Sequence, residues 1–283
     1  LIEGAWSTDE KLAAAREITL DELRSFARNL LSEVDPVMLA HGNVSESYAL
    51  NLARQVEAIV LDDSRFTDVP RSQVRQLPGR ETEVSLAVDH PDTGYTLYMQ
   101  GDNTSFAERA RYRLLGQIIS SPFYEEIRTN RQLGYIVYAT PFEMLETPAL
   151  GFVVQSPSAS QTEIDRAVRE FSQNFEEVLS GLTEERLDRE KQAVISKLLE
   201  KDRQLGDISS RYWREIDRGM ANFNSREQLA GAVKNVSRQE LLDTFRESVL
   251  ERDQALRVVT GGNGLEAERA LGTLTKLPPV PAS

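Results

Sequence analysis

Arg128-Thr129-Asn130-Arg131-Gln132-Leu133-Gly134-Tyr135 runs directly into Ile136-Val137-Tyr138-Ala139. The stretch reads as a charged amphipathic helix that leaves through a glycine into an apolar strand, so helix and strand meet at a corner. A guanidinium and a phenol stand seven positions apart across that corner, Arg128 and Tyr135. Both are hydrogen-bond donors, and aimed at one point they can stabilise a developing oxyanion. From residue types alone a plainer account is favoured, in which Arg128 pairs with an acid such as Glu125 and Tyr135 fills strand packing. No nucleophile with its base and no metal-ligand cluster lies beside the pair, so a catalytic part would have to be completed by residues outside this sequence.

Upstream of the corner, Val84, Leu86 and Val88 alternate with polar residues, and His90-Pro91-Asp92-Thr93-Gly94 turns into Tyr95-Thr96-Leu97-Tyr98-Met99, which predicts a hairpin. Ser105-x-x-Glu108 predicts a capped helix that Pro122 breaks or restarts before 123–132. Downstream, strands over Tyr135–Thr140 and Leu150–Gln155 are expected, joined by a loop holding Pro141 and Pro148. Ser160-x-x-Glu163 opens a helix with Ile164, Ala167, Val168, Phe171, Phe175, Val178 and Leu179 on one stripe, ended by Gly181. Further helices follow from Thr183, over 207–220 and over 226–234. The order predicts an α+β fold, an antiparallel sheet with helices packed on one face.

The flanks repeat a pattern. Thr19-x-x-Glu22 caps a helix with Leu23, Phe26, Ala27, Leu30 and Leu31 on one face, then Val37-Met38-Leu39-Ala40 reads as a short buried strand ending at His41-Gly42-Asn43. A second helix carries Leu52, Ala53, Val56 and Val60. About 219 positions on, Ser237-x-x-Glu240 caps a helix with Leu241, Leu242 and Phe245, and Ala255–Val259 is a strand ending at Thr260-Gly261-Gly262. The same helix, strand and glycine turn in the same order suggests duplicated domains. Residues 1–66 are then the C-terminal part of one domain, 67–80 a linker and 81–283 a complete homologous domain. Position 1 is expected not to be a natural beginning, since Leu1-Ile2-Glu3-Gly4-Ala5-Trp6 has neither an initiator Met nor a leader.

A net charge of -12 on 283 residues argues against nucleic acid and anionic membrane surfaces as partners, and favours a cationic or neutral polypeptide. With no cysteine there are no disulfides or thiolate metal sites, and the compartment stays open. No apolar run of about 18 residues predicts a membrane span. His41 and His90 lack the paired spacing of a helical zinc site and read as hydrogen-bonding turn residues. Glu125-Glu126, Glu176-Glu177 and Glu184-Glu185 diverge by about 100° on their helices and read as solvated faces. Trp213 reads as a packing anchor, and the glycines at 42 and 261–264 match no phosphate loop.

Ile118-Ile119-Ser120-Ser121-Pro122, Ile127-Arg128-Thr129 before Gln132-Leu133-Gly134-Tyr135, and Tyr212-Trp213-x-Glu215-Ile216 with Asn222-Phe223 together resemble the C-terminal half of the pitrilysin and insulin-degrading enzyme family of zinc peptidases. The resemblance spans about Thr19 to Thr260. It implies a metallopeptidase-type α/β roll, the end of a third domain plus a whole fourth, and a closed chamber of two halves in which oligopeptides are hydrolysed. Zinc would be bound by an inverted His-x-x-Glu-His motif in the missing N-terminal half or a partner subunit, and none by this chain. Tyr135 would hydrogen-bond the substrate carbonyl or tetrahedral intermediate, Arg128 would support that charge, and Gly134 would let the strand approach closely. The chain alone is expected to be inactive, with the periplasm as its location by resemblance and the cytoplasm still possible. The alternative is a non-catalytic peptide-binding or partner subunit of the same family.

Overall fold

A Ser or Thr side chain accepts from the backbone three residues on at the start of most helices, and at four of them a Glu returns the bond, as with Thr19 and Glu22 or Ser160 and Glu163. The computed structural model describes residues 1–69, 71–220, 222–261 and 278–281. In chain order its elements are α1 (Thr8–Glu17), α2 (Leu20–Leu30), β1 (Glu33–Val34), α3 (Glu46–Val60), β2 (Arg65–Phe66), β3 (Thr82–Leu86), β4 (Thr93–Gln100) and α4 (Phe106–Tyr124). A π-helical stretch over Glu125–Asn130 leads to β5 (Ile136–Met144), β6 (Thr147–Ser156), α5 (Gln161–Ser180), α6 (Glu184–Leu198), α7 (Leu205–Asp217), α8 (Ser225–Asn235) and α9 (Arg238–Phe245). A second π-helical stretch over Arg246–Leu250 precedes β7 (Ala255–Thr260).

Two units form. The smaller holds Gly4–Ser72 with Asp202–Phe223, the larger Leu1–Glu3, Gln73–Lys201 and Asn224–Ser283. In the smaller unit α1, α2 and α3 bury no residue, and Leu20, Leu23, Phe26 and Leu30 of α2 are exposed. Val37-Met38-Leu39-Ala40 is not the expected buried strand. It is irregular chain with Val37 and Met38 exposed, while the parallel pairing nearby is Glu33–Val34 with Arg65–Phe66. A strand persists only where a neighbour takes its hydrogen bonds, and among the described residues none pairs with these four.

In the larger unit the strand order is β3-β7-β4-β6-β5. Most pairings are antiparallel, but β3 runs parallel to β7. One face of the sheet carries the main core: Leu97, Met99, Phe152 and Val154 meet Leu115, Ile119 and Phe123 of α4, Phe171 and Phe175 of α5, and Phe245 of α9. The expected β3–β4 hairpin is not one, because β7 lies between those strands and pairs with both. Alternation along a strand shows which face is buried but not which strand comes alongside.

Pro122 neither breaks nor restarts its helix; α4 runs through it and widens into the π stretch three residues later. The expected loop with Pro141 and Pro148 is instead strand, closed by a two-residue turn in which Leu145 and Glu146 both have positive φ, 45° and 68°. Those angles are those of a tight turn suited to the sheet's twist. Pro141 is tolerated because β5 is an edge strand and has no outer neighbour needing its missing N–H.

Candidate functional site

The corner that leads into β5 is built by the end of a helix. The Arg131 N–H donates to Glu126 O at 3.0 Å and the Leu133 N–H to Ile127 O at 3.0 Å, with Gln132 between them in the left-handed region at φ 55°. This closes the helix as a left-handed residue usually does, although glycine is the residue expected to do so. Gly134 serves a different purpose. A Cβ there would lie 2.5 Å from Gln155 O and 3.0 Å from Val154 Cγ1, so only a glycine lets the chain come close enough for the Tyr135 N–H to reach Gln155 O at 3.1 Å. The same helix end recurs at Arg252, φ 56°, where the Glu251 and Asp253 N–H groups donate to Arg246 O and Glu247 O. Two helices of this unit therefore enter strands by one construction.

Ile127 is fully buried and anchors the π stretch, leaving Arg128 half-buried beside it. Among the described residues Arg128 has no hydrogen-bond or ion-pair partner, so the pairing with Glu125 does not form. The cation that is pinned is Arg131, held by Glu126 at 2.7 Å and Glu170 at 2.6 Å. Among the described residues no hydrogen bond or cation–π contact joins Arg128 and Tyr135.

Tyr135 is 48% exposed. Its hydroxyl donates to Asp92 Oδ2 at 2.6 Å, and the Gln155 side-chain amide donates to the same oxygen at 3.0 Å. Asp92 sits in the turn before β4, its side chain only 12% exposed, with His90 Nδ1 4.0 Å from the carboxylate and accepting the Asp92 N–H at 3.1 Å. The Tyr135 hydrogen bond, followed by that from Gln155, holds the Asp92 carboxyl below its usual range; the same bond and the carboxylate's charge raise the Tyr135 phenol. Sequence reading places Tyr135 here but misses Asp92 and Gln155. No spacing pattern marks them, since Asp92 and Tyr135 lie 43 positions apart and meet only through sheet pairing.

The remaining candidates are quieter. His90 is a hydrogen-bonding turn residue, as its place before Pro91 predicts. His41, in the smaller unit, bonds Ser209 Oγ through Nδ1 at 2.8 Å and sets its ring edge-on to Tyr212. Trp213 is 42% exposed. Among the described residues no three His, Cys, Asp or Glu side chains come together as a metal site, and no helix is long and apolar enough to cross a membrane. Of the glycines at 261–264, Gly262 and Gly264 lie outside the described residues. A polar recess of about 170 Å³ bordered by Asp102, Glu108, Glu240, Asp243 and Glu247 touches neither Arg128 nor Tyr135.

The chain is homologous to the pitrilysin and insulin-degrading enzyme family of peptidases. Residues 114–213 match the family model described as PQQ synthase PqqF-like, C-terminal lobe domain 4. Protease 3 of Escherichia coli (strain K12) is 29% identical over 273 residues, 94% of this chain and 27% of that protein. The insulin-degrading enzyme of Homo sapiens is 30% identical over 254 residues, 87% of this chain and 25% of that protein. The chain thus spans about a quarter of the length of these relatives. Among solved structures, pitrilysin matches with a TM-score of 0.81 at 24% identity, covering 99% of this chain and 30% of that one. A peptidase M16 inactive domain from Pseudomonas fluorescens matches at 0.60 and 17% identity, covering 88% and 59%. The periplasmic protease PqqL from Escherichia coli matches at 0.58 and 16%, covering 83% and 28%.

Proposed function

We propose that this chain is the C-terminal part of a periplasmic zinc metalloendopeptidase, and that it supplies contacts to the substrate and transition state rather than the metal. The observation that carries the reading is the Tyr135 hydroxyl, exposed at the helix-to-strand corner and already donating to an anionic oxygen. A tetrahedral intermediate presents the same kind of acceptor, and a donor whose backbone is held at the corner can be turned to it as charge develops. Arg128 supports that negative charge as a half-buried guanidinium without a partner among the described residues. In this reading the zinc, and the water it activates, are held by another part of the enzyme. The periplasmic placement draws on the likeness to PqqL.

Residues 1–66 are the end of a preceding domain, 67–80 a linker and 81–283 a whole homologous domain in this reading. Support comes from the repeated capping box and helix, 19–30 and 237–245, and from α2, whose exposed Leu23, Phe26 and Leu30 ask for a cover that α9's Leu241, Leu242 and Phe245 have in the core. Short peptides enclosed between two halves are the expected substrates, and the charge of -12 suits cationic ones.

The test is hydrolysis of an oligopeptide by the enzyme that carries the metal-binding half, taken from the periplasmic fraction, with and without Tyr135→Phe. Loss of one oxyanion donor lowers kcat by about ten- to a thousandfold, with this chain alone inactive throughout. An unchanged rate rejects the role of Tyr135. A second reading, a non-catalytic partner subunit that binds peptides, is favoured by the likeness to the inactive domain from Pseudomonas fluorescens. Peptide binding without hydrolysis in the complete assembly would establish it.

A further inference from the structure

A phenol has a single proton to donate, and in this structure the Tyr135 proton is already committed to Asp92 Oδ2 at 2.6 Å. Resting on the reading of Tyr135 above, we propose that Asp92 is a positioning residue that holds the phenol's proton in the resting state and yields it only to a substrate oxygen that has become anionic. The geometry restricts which acceptors can compete. A neutral peptide carbonyl is a weaker acceptor than a carboxylate, and charge-assisted bonds are roughly twice as strong as neutral ones. The carbonyl of a bound substrate therefore does not win the proton from Asp92, whereas the oxyanion of a tetrahedral intermediate is a match for it. The bond is thereby reserved for the transition state.

The surroundings keep Asp92 in this role. Gln155 donates to the same Oδ2 at 3.0 Å and continues to satisfy that oxygen after the phenol turns away. The backbone of Tyr135 stays fixed meanwhile, since its N–H is held by the Gln155 carbonyl at 3.1 Å. Only the hydroxyl has to reorient. Among the described residues, His90, whose Nδ1 lies 4.0 Å from the carboxylate, is the other titratable group against Asp92. No sequence pattern hints at this arrangement, because a turn aspartate beside proline is commonplace.

The deciding experiment follows Tyr135 itself. In the 283-residue chain with carbon-13 at the tyrosine ring, the Tyr135 signal is assigned by its loss in Tyr135→Phe, and its ionisation is titrated with and without Asp92→Asn. Asp92→Ser serves as a second variant should the first misfold. The midpoint falls in either variant if the carboxylate holds the proton; an unmoved midpoint overturns the proposal. In the complete enzyme Asp92→Asn raises kcat/KM by about two- to tenfold, the size of one solvent-screened hydrogen bond, and the gain vanishes in a Tyr135→Phe background. A fall in kcat/KM, no change, or a gain that persists without the Tyr135 hydroxyl each overturns it. If Tyr135→Phe leaves hydrolysis intact, the oxyanion reading fails while the titration still reports the Asp92 bond. If Tyr135→Phe is impaired and Asp92→Asn is silent, only the present inference fails.

Discussion

Gly134 is required by space rather than by backbone angle. Its φ is not among the positive values, and the left-handed residue at the corner is Gln132. A methyl group added at position 134 meets a backbone carbonyl at 2.5 Å, which cannot move without disturbing the β5–β6 pairing. Gly134→Ala therefore destabilises the larger unit by about 1–3 kcal/mol, as overpacking does, and loosens the Tyr135 N–H bond to Gln155. Urea unfolding together with amide exchange at Tyr135 measures both; a variant as stable and as protected as the parent would refute this account. The glycine and the tyrosine are legible in sequence because a helix pattern ends there and an apolar strand begins. Asp92 is not, since its partner is chosen by the alignment of β4 against β6 and of β6 against β5, which no local pattern records.

Elements divide along the same line. Helices are legible where a capping pair announces them, as at Thr19, Ser160 and Ser237, because the bonds that start a helix are local. Strand neighbours are not, and β7, last of the described strands, lies between β3 and β4. Prolines mislead for a related reason: Pro141 reads as a breaker, yet an edge strand does not need its N–H. The β5–β6 turn shows what this costs locally. Leu145 and Glu146 hold positive φ although neither residue favours it, and each left-handed non-glycine residue costs roughly 1–2 kcal/mol. Leu145→Asn supplies a residue that such a turn prefers and leaves Glu146, which has a polar interaction, in place. A gain of about 1 kcal/mol is expected in thermal or urea unfolding. No gain would refute this account of the turn.

At the scale of the larger unit, segments distant in sequence are joined by a partly buried charge cluster centred on Arg252. Arg252, 2% exposed in its side chain, reaches Glu81 at 3.0 Å and Asp165 at 2.8 Å; Arg169 bonds the same two acids, and Arg257 pairs with Glu81. Tyr95 of β4 donates to Asp165 Oδ1 at 2.8 Å. These contacts tie the entry to β3, β4, α5 and the start and body of β7. Burial works against the Asp165 charge, but the bonds from Arg252, Arg169 and Tyr95 prevail and hold its pKa at about 2, below the ordinary 3.8. A depressed carboxylate contributes stability that is complete above its unfolded pKa and is lost as pH falls through the folded one. The larger unit should thus weaken between about pH 4 and pH 2, the window set by those two values. Asp165→Asn removes the titrating group, so the variant starts less stable at neutral pH and loses less on acidification. Urea midpoints of both proteins taken across this window measure the difference. If the gap between them stays constant from neutral pH to pH 2, Asp165 is not the group through which acid acts on this fold.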